Sequence, residues 1–282
     1  MINLDETSVS YSFHGAKGNV VKQAHWPSRY QPPTAHSTSS QRHGMITHVG
    51  MITNRDDCQR LLPQIIIGSR KKFTRKLMTD IGRVPSPVEL IKNPSAWNNS
   101  ETMMSILSKL DAALDHIGNK QIILLMDSAK CHISPKVLEH AASLNIWLCI
   151  VPTDTTWLLQ PLDVNVFCHY KKFLRNEFRN RLIQQNRVTD REWLGMITCA
   201  ATGFLQSSSW AGAFSSLGLL GDRGSISGTL QSRCPEIAIL DPSGTHMPTY
   251  QELKCVLPKR LNTSRLYSLL MAKPRRRRLI IQ

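Results

Sequence analysis

The sequence contains no apolar run near the roughly 20 residues that a membrane-crossing helix needs, and its polar opening, MINLDETS, lacks the basic and apolar regions of a signal peptide. These absences lead us to expect a protein inside the cell with no membrane partner. Its seven cysteines, Cys58, Cys131, Cys149, Cys168, Cys199, Cys234 and Cys255, are scattered and never spaced as CxxC. That spacing argues against a zinc knuckle, and the odd count argues against a disulfide framework. Neither a GxSxG elbow nor a GxxxxGK[ST] phosphate loop occurs, so a small-molecule hydrolase on an α/β sheet finds no support. No internal repeat is visible.

Acidic residues are also scarce. Lys and Arg number 35 against 20 Asp and Glu, a formal net charge of +15, which favours a polyanionic partner, nucleic acid ahead of an anionic membrane surface. Two stretches concentrate the surplus. Between Tyr170 and Arg191 lie Lys171, Lys172, Arg175, Arg179, Arg181, Arg187 and Arg191, against only Glu177 and Asp190. The tail closes with KPRRRR, Lys273 to Arg278, which reads as a nuclear-import address or a phosphate-binding arm, or else as a solvated basic end. A nuclear location is the expectation.

With 282 residues and 41% hydrophobic content, the chain can bury one sizeable core and carry an appendage. The patterning points to an α/β fold. Strand-like runs occur at residues 2 to 13, in MITHVGMIT and in LPQIIIG, the last two divided by the polar turn NRDDCQR, so the three suggest an antiparallel meander. The segment RKLMTDIGRVPSPVELIKNPSAW reads as irregular. Helical periodicity follows, with Met104, Leu107, Leu110, Leu114 and Ile117 on one face and Gly118 as the stop. Ile122 to Met126 suits a strand buried on both faces, and PKVLEHAASL links it to NIWLCIVP as a right-handed parallel crossover. A long helix entered at Pro161 carries an apolar stripe of Phe167, Tyr170, Leu174, Phe178 and Leu182. REWLGMITCAATGFLQ and WAGAFSSLGLL read as closing helices.

In this order Asp5 lies in the first strand, Asp127 ends the fourth, and Asp163 stands in the first turn of the helix after the fifth. If the first and fourth strands are neighbours, the acids converge where open α/β sheets place their sites. Carboxylates held on rigid elements suit a hard divalent cation such as Mg²⁺, which keeps waters and leaves room for phosphate oxygens. Each acid has a plainer reading as well. Asp5 can be an ordinary acid near a chain end, Asp127 a turn cap, and Asp163 a favourable charge at a helix start.

NLDET at Asn3 to Thr7, DSAKCH at Asp127 to His132 and TTWLLQPLDVNVFCHYKKFLR at Thr155 to Arg175 together resemble the pogo/Tigger-like branch of the mariner transposase superfamily, the DDE endonucleases. SSQRHGMITHVGMIT with LPQIIIG, SAWNNSETM and WAGAFSSLGLL are similar to further segments of that family. The resemblance implies an RNase H-like mixed sheet, a three-stranded antiparallel meander plus two parallel strands flanked by helices, with residues 1–220 as the catalytic domain and 221–282 as a C-terminal extension. It implies catalytic, metal-holding roles for Asp5, Asp127 and Asp163, two Mg²⁺ or Mn²⁺ ions, and cleavage and joining of DNA strands. His132 matches a family histidine with a supporting role. Lys171, Lys172, Arg175 and Arg179 would line the path of the DNA backbone, and a homodimer is compatible with this reading. Ser128 stands where the family commonly has Asn after the second acid. Family members also carry helix-turn-helix domains upstream, so this sequence is expected to be a fragment, a truncated reading or a decayed copy. The competing expectation is a catalytically idle, transposase-derived DNA-binding or chromatin protein.

Overall fold

The first strand, β1 (Ile2–Ser10), turns successive side chains to opposite faces of the sheet, and this sets the two sides of the molecule. Ile2 and Leu4 point to one face, while Asn3, Asp5, Thr7 and Val9 point to the other, as a period of two residues demands. The structure, a computed structural model, describes residues 1–10, 45–117, 121–152, 155–185 and 187–220. The expected loop from residue 14 to 44, Gly118, the C-terminal extension and the basic tail lie outside the described residues, as does part of the first expected strand.

Strand β1 pairs antiparallel with β2 (Met45–Thr53), which pairs antiparallel with β3 (Gln64–Ser69). On its other side β1 pairs parallel with β5 (Ile122–Asp127), which pairs parallel with β6 (Ile146–Val151). This is the RNase H-like arrangement of a meander beside parallel strands. Between β2 and β3 the expected polar turn includes a short helix, α1 (Asp56–Gln59). Between β5 and β6 runs α4 (Pro135–Ser143), with Pro135 at its start where a missing N–H costs no helical bond.

One expectation needs correcting. The segment read as irregular contains a helix, α2 (Arg75–Ile81), and a sixth strand, β4 (Val88–Asn93), parallel to β3, so the sheet order is β4-β3-β2-β1-β5-β6. Its signal is faint for a physical reason. Strand β4 is an edge strand whose central residues are only half-buried, and Pro87 sits just before it, where a strand start tolerates proline. Helix α2 is seven residues long, started by the Thr74 side chain accepting from the Leu77 N–H at 3.1 Å and ended at Gly82, whose φ is +65°.

Two layers of helix cover the sheet. On the Ile2 and Leu4 face, Met103, Ile106, Leu107 and Leu110 of α3 (Ser100–Leu114) pack with Val137 and Ala141 of α4 against Val49, Met51, Ile65, Ile67, Leu124 and Met126. The face of α3 is rotated slightly from the expected one, with Met103 fully buried and Met104 partly so. On the Val9 face, the stripe Phe167, Tyr170, Leu174 and Phe178 of α6 (Phe167–Gln185) packs with α7 (Asp190–Ala200) and α8 (Ala211–Ser215). A short helix, α5 (Thr156–Leu159), precedes Pro161. No described helix is long and apolar enough to cross a membrane.

Candidate active site

Strands β1 and β5 run parallel in a register that sets Asn3 beside Leu125. Two residues further along each strand stand Asp5 and Asp127, so the strand geometry carries both acids to the same level. Asp5 faces the α6 side, directly opposite Gly50 on β2. A β-carbon on Gly50 would come within 3.2 Å of the Phe167 ring and 3.7 Å of Leu162, so glycine lets the start of α6 lie close over the sheet.

That start is not a regular α-helical turn. Residues Leu162–Val166 form a π-helical turn in which the Phe167 N–H reaches back to the Leu162 carbonyl, and only then does α6 begin. The turn is tied down through Asn3, which is fully buried. Its Oδ1 accepts from the Leu162 N–H at 2.8 Å, and its Nδ2 donates to the Leu125 carbonyl at 3.0 Å. One side chain thereby joins β1, β5 and the residue before Asp163. Further along, His48 Nδ1 and the Tyr170 hydroxyl are 2.7 Å apart with their rings edge to face, which holds the next turn of α6 over β2.

Asp163, exposed on the π-turn, is thus brought beside buried Asp5. Burial pushes the Asp5 carboxyl well above the usual carboxylate range, and the charges of Asp163, Glu6 and Asp127 push it the same way, with a backbone hydrogen bond at Glu6 opposing. The sequence-derived acids therefore converge electrostatically, and Glu6 joins them. Asp5 Oδ2 is buried and has no hydrogen-bond donor among the described residues. A buried, donor-less carboxylate oxygen ringed by like charge is what a hard cation would neutralise, so this oxygen-rich set fits Mg²⁺ or Mn²⁺.

Asp127 differs from Asp5. Its Oδ1 accepts from the Ala129 N–H at 3.0 Å and from His132 Nδ1 at 2.5 Å. The turn-capping contact considered from sequence is therefore present. Burial opposes ionisation of Asp127, but His132 and the Ala129 N–H outweigh it and lower its pKa. His132 is fully buried, and its Nε2 lies 2.8 Å from Glu6 Oε1, which also accepts from Asn98 Nδ2 at 2.6 Å. Burial works against a charged ring here, yet Glu6 and Asp127 overcome it and raise the His132 pKa well above its ordinary value. The ligand atoms of Glu6, Cys131 and His132 lie within 4.8 Å of one another, but both ring nitrogens already face carboxylates, so this group is a hydrogen-bonded cluster.

Of the basic residues, Lys172, Arg175 and Arg179 are exposed on α6 and Lys171 is half-buried, on the helix that leaves the acidic centre. Sequence reasoning assigned no role to Asn3, Gly50, His48 or Asn98. Asn3 lay inside a motif already quoted, and a polar residue alternating with strand apolars on a buried face was the signal to follow. Gln160, also buried, has no hydrogen-bond partner for either amide atom among the described residues.

The chain is similar in structure to a Mos1 transposase paired-end complex with left transposon end, at 14% identity and a TM-score of 0.40, over 77% of this chain and 55% of that one. The chain thus spans little more than half the length of that neighbour. No match is found among curated proteins. The family model described as DDE superfamily endonuclease matches residues 46–217, well over half of the sequence. By that match, this chain belongs to the DDE superfamily endonucleases.

Proposed function

We propose that this chain is a metal-dependent DNA endonuclease and strand transferase of transposase origin, with Asp5, Asp127 and Asp163 as its catalytic carboxylates. The observation that carries the reading is the donor-less Oδ2 of buried Asp5, set among the charges of Asp163, Glu6 and Asp127. Asp5, Asp127 and Asp163 would hold two Mg²⁺ or Mn²⁺ ions, which when bound supply an activated water or hydroxyl and steady the leaving oxygen at phosphorus.

The chain's own residues do the positioning. Asp5 is fixed in mid-strand, where pairing leaves its backbone no freedom, and Asp163 is fixed by the bond between Asn3 and Leu162. Asp127 ends a buried strand and is gripped by the Ala129 N–H and His132. Lys171, Lys172, Arg175 and Arg179 on α6 would take the DNA phosphates, which positions the backbone without reading sequence. Lys273 to Arg278 would serve as the nuclear address.

Nicking of supercoiled plasmid tests the reading. The parent chain should nick in Mg²⁺ or Mn²⁺ and stop on chelation, and Asp163→Asn should lose at least about a hundredfold in rate, because a neutral amide is a poorer ligand. Equal nicking by Asp163→Asn, or nicking that persists in chelator, would refute it.

A further inference from the structure

Glu6, His132 and Asp127 form a continuous chain that links the two parallel strands at the acidic centre. Asn98 Nδ2 donates to Glu6 Oε1, His132 Nε2 lies 2.8 Å from that same oxygen, and His132 Nδ1 lies 2.5 Å from Asp127 Oδ1. The Asp127 carboxylate only accepts, so Nδ1 is the donor in the bond to Asp127 on which the positioning depends. His132 has no exposed side-chain surface, so water does not compete for either bond.

We infer that His132 is a positioning residue: through its Nδ1 bond it fixes the rotamer of Asp127 so that this carboxylate meets the cation held with Asp5 and Asp163. The inference rests on the metal-site reading given above. The bonds from the Ala129 N–H and His132 Nδ1 both fall on Oδ1 of the Asp127 carboxylate, so its second oxygen takes neither. Without them, a half-exposed aspartate at a strand end would sample several rotamers, and each binding event would have to select one. Glu6 has a different task. It anchors the far side of the ring and is itself anchored by Asn98, so β1 supplies both a ligand, Asp5, and the support for the ligand on β5. Partners of this kind typically alter metal affinity by about ten- to a hundredfold.

Two substitutions separate the bonds. The amide nitrogen of an asparagine falls near the place of Nδ1 and can still donate to Asp127, whereas that of a glutamine falls near Nε2 and can donate only to Glu6. Mn²⁺ affinity, measured by calorimetry on the whole chain, should fall about tenfold or more in His132→Gln and stay within about threefold of the parent in His132→Asn. Thermal melts of both variants control for a merely structural role, which would weaken them in step with stability instead of splitting them by bond. In the metal-free parent, NMR of the ring should show an exchange-protected Nδ1–H proton whose signal shifts in Asp127→Asn. Equal Mn²⁺ affinity in the two His132 variants, or a ring proton indifferent to Asp127→Asn, would overturn the inference while leaving the metal site standing. A parent chain that binds no Mn²⁺ would overturn both.

Discussion

Asn3 accepts a 2.8 Å hydrogen bond from the backbone N–H of Leu162, the residue before Asp163, and donates to the Leu125 carbonyl, two residues before Asp127. A single buried amide therefore sets the spacing of the elements that carry the three acids. Asn3→Ala should lower stability by about 2–3 kcal/mol, since it leaves a buried N–H and a buried carbonyl without partners. Asn3→Asp would keep the acceptor for Leu162 but lose the donor to Leu125. Urea denaturation followed at matched pH reads both losses, and Mn²⁺ titration should show the Ala variant weakened beyond what its fraction folded explains.

Gly50 offers a steric test of the same placement. Because a β-carbon there would sit 3.2 Å from the Phe167 ring, Gly50→Ala should be tolerated with a loss of about 1 kcal/mol, while Gly50→Leu should be far worse. Both should weaken Mn²⁺ binding, because what yields is the turn that holds Asp163. Retention of parent affinity in Gly50→Leu would show that the start of α6 does not set the site.

These two residues also show how much was legible in the sequence. Each acid sits at a position that elementary patterning marks: within a strand, at the abrupt end of an apolar run, or just after a proline that starts a helix. Patterning alone left each a plainer reading, and it was the resemblance to the DDE endonucleases that selected them as a set. The meander and the β5-α4-β6 crossover were legible from patterning itself, since both are built from strongly apolar runs. Strand β4 was not, because an edge strand half open to water carries little hydrophobic contrast. The π-turn at Leu162–Val166 was not legible either, since it follows from a tertiary bond to Asn3 and from the space above Gly50. The Glu6–His132–Asp127 chain was beyond reach because it joins residues of two strands through a ring whose direction no local rule predicts.

Stability should fall on acidification through His48. Burial lowers its pKa to about 4, against about 6.5 in an unfolded chain, so the unfolded state takes up the proton first as pH drops. The contribution is fully present above the unfolded value and is lost as pH falls towards the folded one. Between pH 7 and pH 5 the loss should be about 2 kcal/mol. Denaturation of the parent and of His48→Gln at both pH values isolates this share, because the other titrating groups are common to both. An identical pH dependence in the two proteins would contradict the burial of a neutral ring.

DNA binding should depend steeply on salt and little on sequence. Each phosphate neutralised adds about 0.9 to the slope of log affinity against log salt, so replacing Lys172, Arg175 and Arg179 together by alanine should flatten that slope by up to about 3. Fluorescence anisotropy with random duplexes at several salt concentrations gives the slopes. An unchanged slope would move the DNA path away from α6.

Mn²⁺ binding by Asp5→Asn and Asp163→Asn, set beside their metal-free melting points, bears most directly on the idea that these acids form one cation site. Asp5 is buried among like charges with an unpartnered oxygen, so Asp5→Asn should raise the metal-free midpoint or leave it level. Exposed Asp163 should change it little. Each variant should nevertheless bind Mn²⁺ at least about tenfold more weakly than the parent. If affinity instead stays at the parent level in both variants, or if Asp5→Asn unfolds the metal-free chain, Asp5 and Asp163 serve the fold and the cation site lies elsewhere.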